Sequence, residues 1–139
     1  MSADTSRSVS LRRTARGQMV ATNQRGGELS IGAADSDFTP VELLLTAIAG
    51  CTALDVDPLT SRRAEPASFE VRISGDKVRD ETGNHMENLR VTFHVVFPEG
   101  EAGDAARAVL PDMVARSHDR RCTVTRTVER ATPVETVIE

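Results

Sequence analysis

The residues with the most chemistry to offer are two cysteines, Cys51 and Cys122, and three histidines, His85, His94 and His118. A thiolate is both a nucleophile and a soft metal ligand, so spacing has to choose between the two roles. His85 falls in a predicted turn, His94 on the polar face of a predicted strand, and His118 four residues before Cys122. None of these forms the close ligand pairs of a structural zinc site, so no metal is expected. His118 and Cys122 are an i, i+4 pair and within touching range on a helix, but solvated histidines near helix ends are commoner. No glycine-rich loop joins a strand to a helix, and no serine stands in a Gly-x-Ser-x-Gly turn. Phosphate cradling and the simplest hydrolase reading therefore lack support.

Thiol chemistry remains, and the two cysteines differ in setting. Cys51 ends the stretch TPVELLLTAIAGC, deep inside a predicted helix, where the N-terminal dipole has faded and cannot hold a thiolate. Its helical neighbours Leu44, Ala47, Ile48, Leu54 and Asp55 are mostly apolar, a surround that raises a thiol pKa unless a cation opposes it. Two readings stay open: a small core residue or a reactive thiol. Cys122 follows Arg120-Arg121 and precedes Thr123-Val124-Thr125, where a helical turn begins and a thiolate is favoured; its alternative is a buried strand or turn residue. Glu42 is either a general acid or base near a thiol or the carboxylate that closes a capping box on Thr39. Nine helical positions separate Glu42 from Cys51, about half a turn out of register, which favours the cap.

The elements that must carry these residues read clearly from periodicity. Val9 to Thr14, Met19 to Asn23 and Glu28 to Ile31 are short strands separated by Ala15-Arg16-Gly17 and Gln24-Arg25-Gly26-Gly27, both good turn sequences. Thr39, Pro40 and Glu42 announce a helix by N-cap, first-position proline and capping box, and the segment beyond is apolar almost all round. Period-two alternation predicts strands over Phe69 to Ser74 and Leu89 to Phe97, with DETGNHMEN as the loop between them. Ala106, Val109, Leu110, Met113, Val114 and Ser117 recur at helical spacing, in a helix that Pro111 is expected to bend or split. The tail is predicted to hold a short helical turn and a final strand near Val134 to Ile138. Strands, helix, strands, helix, strand is an α+β order with an antiparallel sheet.

At 139 residues the chain is the size of one domain, 1–139, with residues 1–8 expected to be a flexible lead-in. A net charge of −4 without a basic stripe argues against nucleic acid. The apolar run from Val41 to Val56 contains Glu42 and Asp55 and looks too short and too charged to span a bilayer. With no apolar segment behind the basic N-terminal residues, the expected location is the cytoplasm, where two cysteines are thiols or a transient redox pair.

The run from Phe38 to Val56, with Pro40, Glu42-Leu43-Leu44-Leu45, Ala47, Gly50-Cys51-Thr52 and Asp55-Val56, resembles the helical signature of the OsmC/Ohr proteins, the osmotically inducible and organic-hydroperoxide-resistance group. Arg121-Cys122-Thr123-Val124-Thr125 resembles that family's second cysteine motif, and the resemblance extends from about Val9 to the end. It implies an intertwined homodimer with long central helices between two sheets. It also implies that Cys51 attacks a hydroperoxide, that Cys122 resolves the product, and that an arginine from the first hairpin turn, Arg16 with Arg25 in reserve, activates the thiol. One departure stands out: the peroxidase branch carries its catalytic glutamate where Val41 stands here, one position before Glu42. The implied function is a thiol-dependent peroxidase for organic hydroperoxides, restored by an external dithiol and using no cofactor. The alternative is a non-catalytic dimeric domain that binds a small apolar ligand or senses oxidation.

Overall fold

In the two-residue turn Arg16-Gly17, Gly17 takes a left-handed backbone at φ 73° that an L side chain rarely adopts. A computed structural model of the chain describes residues 5–139; the first half of the expected lead-in lies outside the described residues. Two compact units are present, Met1–Leu44 and Leu45–Glu139.

The first unit is a three-stranded antiparallel meander in the order β1 (Val9–Ala15), β2 (Gln18–Asn23), β3 (Glu28–Gly32). Its register runs from Val9 opposite Asn23 to Ala15 opposite Gln18, with an irregularity between Arg13 and Ala15. Asn23 organises the second turn: its side-chain oxygen accepts from the amides of Arg25 and Gly27 at 3.0 and 2.9 Å. These three strands lie where alternation and turn chemistry place them.

Helix α1 (Pro40–Ser61) starts in the first unit and continues into the second. Its capping box is complete: the Thr39 amide donates to Glu42 Oε1 at 2.8 Å and the Glu42 amide to Thr39 Oγ1 at 3.2 Å. At 22 residues it outruns the apolar segment read from the sequence, because the helix continues through Pro58 at the cost of one backbone bond. By length and composition it is long enough to cross a bilayer, a test that core helices of water-soluble proteins also pass. Its buried side chains, Ile48, Ala49, Thr52, Val56 and Thr60, form one face, while Leu54 on another is 75 % exposed. Among the described residues, the buried positions of this all-round apolar helix lie along one side.

Strands β4 (Ser68–Asp80) and β5 (Gly83–Val96) pair in a long ribbon. Most of the expected loop is strand, and His85 belongs to β5 opposite Val78 instead of to a turn. Apart from half-buried His85, the charged residues of the ribbon stand at its exposed positions, so they do not end it. Polar pairs even fasten the tip: within β5 His85 Nε2 lies 2.8 Å from Glu87, and across the ribbon its Nδ1 is 3.7 Å from Asp80 of β4. A bulge interrupts the pairing between Ser74 and Asp76. Toward the base, Phe69 and Phe93 meet edge to face at 6.1 Å.

Helix α2 (Glu101–Arg116) passes through Pro111 without splitting. Its first turn sits against Pro98 so closely that a Cβ at Gly103 would collide with the Pro98 carbonyl. The chain then widens into a π-helical turn, Ser117–Arg121, and re-enters a short helix, α3 (Thr123–Glu129). No strand forms near Val134 to Ile138: Val134 and Ile138 are almost fully exposed, and a strand needs a neighbouring edge to pair with.

Candidate functional site

Cys51 and Cys122 come together within the second unit. Helix α1 presents Cys51 half-buried, and Cys122 is fully buried as the N-cap of α3. The Cys51 thiol lies close enough to Cys122 and to the Val124 backbone for both to bear on its ionisation. Cys122 Sγ donates to Thr125 Oγ1 at 3.1 Å and accepts from the Thr125 amide at 3.4 Å. Both cysteines therefore converge on the start of α3. Both thiols are free.

The electrostatics at Cys51 pull in two directions. Burial raises its pKa most, the Val124 amide lowers it, and the neighbouring thiol and the Asp55 carboxylate raise it further. The net effect is upward, as its apolar helical neighbours in the sequence suggest. On this unit's groups alone Cys51 is a thiol at neutral pH.

A polar chain ties the two cysteine-bearing segments. Thr52 Oγ1 donates to Ser117 Oγ at 2.9 Å, and Ser117 Oγ donates to Asp55 Oδ2 at 2.9 Å. Ser117 is 1 % exposed. Its carbonyl accepts from the Cys122 amide at 2.7 Å, the i→i−5 bond that closes the π turn. Thr52 and Asp55 follow Cys51 on α1, so one serine reaches both thiols' supports. Sequence reasoning placed Ser117 at the end of the α2 apolar stripe without giving it a role; a serine in such a stripe was the available signal.

A cavity of about 450 Å³ opens beside the pair. Ile48, Leu89, Val91, Phe93, Val114 and Val128 supply apolar walls, and Thr52 and Thr125, which also support the thiols, supply polar wall. His118 and Glu129 lie at its border with Nε2 2.7 Å from Oε1, while His118 Nδ1 is 2.9 Å from Asp119. These carboxylates, Asp119 first, raise the His118 pKa against a smaller effect of burial. The imidazole is thus engaged by two acids instead of by Cys122, the contact its i, i+4 spacing had suggested.

The remaining sequence candidates lie in the first unit. Arg16 is in the β1–β2 turn and Arg25 in the β2–β3 turn. Glu42 is engaged in its capping box, and the Thr39 amide, then the Thr39 hydroxyl, hold its carboxyl below the ordinary range.

Three comparisons bear on identity. The chain is 30 % identical over 125 residues to the uncharacterized protein Rv2923c of Mycobacterium tuberculosis, covering 88 % of each. Its fold matches an OsmC-like protein of unknown function from Vibrio cholerae, with a TM-score of 0.74 at 14 % identity over 90 % of this chain and 94 % of that one. An OsmC-like hydroperoxide resistance protein from Jannaschia shares it with a TM-score of 0.51 at 11 % identity, over 94 % and 90 % of the two chains. The family model for OsmC-like proteins matches residues 33–137, a span that takes in α1, the thiol pair and every element between them, and the chain belongs to that family.

Proposed function

We propose that the protein is a thiol-dependent peroxidase that reduces organic hydroperoxides. The observation that carries this reading is the meeting of a half-buried thiol, Cys51, with a buried one, Cys122, beside an apolar cavity. Cys51, the more accessible sulfur, attacks the distal peroxide oxygen; the O–O bond breaks, the alcohol leaves with a proton, and Cys51 becomes a sulfenic acid. Cys122 then displaces hydroxide, which leaves as water, and a disulfide forms. An external dithiol returns both sulfurs to thiols by thiol–disulfide exchange.

The cavity favours an organic peroxide because each buried methylene contributes about 0.8 kcal/mol. Arg16 is the proposed source of the cation that Cys51 requires, its guanidinium holding the thiolate and then the peroxide oxygen. Arg25 is the reserve. Glu42 serves the start of α1 through its cap. The active form is proposed to be an intertwined homodimer in the cytoplasm. Support comes from the uncovered side of α1 and the exposed Val134, Val137 and Ile138, apolar surface that a second copy would bury.

The test is to follow loss of cumene hydroperoxide in the presence of dithiothreitol for the native protein, Cys51→Ser and Cys122→Ser. Turnover is expected for the native protein and not for Cys51→Ser, while Cys122→Ser is expected to accumulate sulfenic acid. The cavity also favours a second reading, a dimeric domain that holds a small apolar ligand or reports oxidation. Native protein without turnover would leave that reading in place.

A further inference from the structure

We infer that Ser117 is a positioning residue that sets the approach of Cys122 to Cys51. The inference rests on the thiol-pair reading above and adds the device that fixes the pair. Ser117 acts through two atoms at once. Its hydroxyl is held between Thr52 and Asp55, which share α1 with Cys51, with both oxygen–oxygen distances at 2.9 Å. Its carbonyl holds the Cys122 amide at 2.7 Å. Rotation or sliding of the π turn against α1 must break one of these bonds, in a place where Ser117 is 1 % exposed and water cannot replace the lost partner.

The direction of the chain of donors adds specificity. Thr52 donates to Ser117, so the single Ser117 proton is left for Asp55, and the arrangement is complete only with Asp55 as acceptor. A hydrogen bond to a carboxylate is stronger than one between neutral groups. The π turn itself is the geometric reason for the anchor. An i→i+5 turn carries one residue more than an α-helical turn, and Ser117 stands at the point where α2 gives way to it.

The measurement is the effective concentration of the two thiols toward each other, read by equilibrating the full-length protein in glutathione buffers. Oxidised glutathione takes two electrons and two protons from Cys51 and Cys122, yielding two reduced glutathiones and one protein disulfide. Ser117→Ala keeps the carbonyl but removes the hydroxyl, and is expected to lower the effective concentration by about tenfold or more. Thr52→Val is expected to do the same and Thr52→Ser to retain the native value. Thr60→Ala is the control: the fully buried Thr60 hydroxyl donates to the Val56 and Asp57 carbonyls of its own helix, so the variant loses stability without changing the thiol equilibrium.

A native value in Ser117→Ala overturns the inference, as does an equal loss in Thr60→Ala or the failure of the native cysteines to form a disulfide. Should Ser117→Ala not fold, the Thr52 comparison decides, and equal values for Thr52→Val and Thr52→Ser overturn it. Because no peroxide enters the assay, a native pair that closes with glutathione but turns over no peroxide removes the enzymatic reading alone.

Discussion

Thr52 and Ser117, separated by 65 residues in the chain, share a buried hydrogen bond of 2.9 Å. Removing one partner leaves the other without a solvent substitute. Thr52→Val is therefore expected to destabilise the protein by about 1–2 kcal/mol. Urea unfolding at fixed protein concentration measures it, and a midpoint equal to that of the native protein would contradict the burial of the pair.

The capping box of α1 gives an acid-side signature. Because the folded-state pKa of Glu42 is lowered by Thr39, its stabilising effect is present above the unfolded carboxylate pKa and is lost as pH falls through the folded value. Thr39→Ala removes the hydroxyl partner and is expected to cost about 1 kcal/mol at neutral pH. Glu42→Gln is expected to flatten the melting temperature between pH 6 and pH 3, values chosen around about 4.3 for a free glutamate. An unchanged acid slope in Glu42→Gln would argue against the cap as the source of the shift.

His118 gives the opposite sign. Its folded-state pKa is raised by Asp119 and Glu129, so its contribution is fully present below the unfolded histidine pKa and is lost as pH rises through the folded value. The side chain is 58 % exposed, and the effect is correspondingly screened. His118→Gln is expected to lower the melting temperature at about pH 5.5 more than at about pH 8.5, on either side of the ordinary histidine range. Equal losses at both pH values would show that the clasp acts by neutral hydrogen bonding.

Cys51 supplies the test of Arg16. Burial, Cys122 and Asp55 raise its pKa against the Val124 amide. If Arg16 provides the opposing charge, Arg16→Gln should move the pH midpoint of Cys51 alkylation upward, above that of an ordinary cysteine, and slow peroxide turnover by about ten- to hundredfold. Arg25→Gln is the paired measurement. A midpoint that moves only in Arg25→Gln transfers the role to the second turn.

Much of the fold was legible because local chemistry agreed with it. The first three strands follow from alternation and from Gly17 and Asn23 at their turns, and α1 follows from Thr39 and Glu42. Lys77, Asp80, Asn84 and Glu87 disguised the outer half of the ribbon as a loop, since exposed strand positions accept polar residues that a covered face would refuse. The predicted last strand carries the right alternation in Val134 to Ile138, but pairing depends on an edge that no local pattern supplies. The meeting of Cys51 with Cys122 was implied by the family likeness alone. Nothing near either residue encodes an approach so distant in the chain, and the π turn that precedes Cys122 is tied to α1 through the Ser117–Asp55 hydrogen bond.

Gly103 bears on how accurately that delivery can be made. The carbonyl of Pro98 occupies the space where any side chain at this position would stand, so α2 has one permitted clock setting at its origin. Ser117 lies about four turns further along, on the same side as Gly103 and the fully buried Ala106. Insertion or deletion of a single residue between them would swing Ser117 by about 100° away from Asp55. The length of this helix is therefore a ruler as much as a scaffold, and its sequence should drift more freely than its residue count.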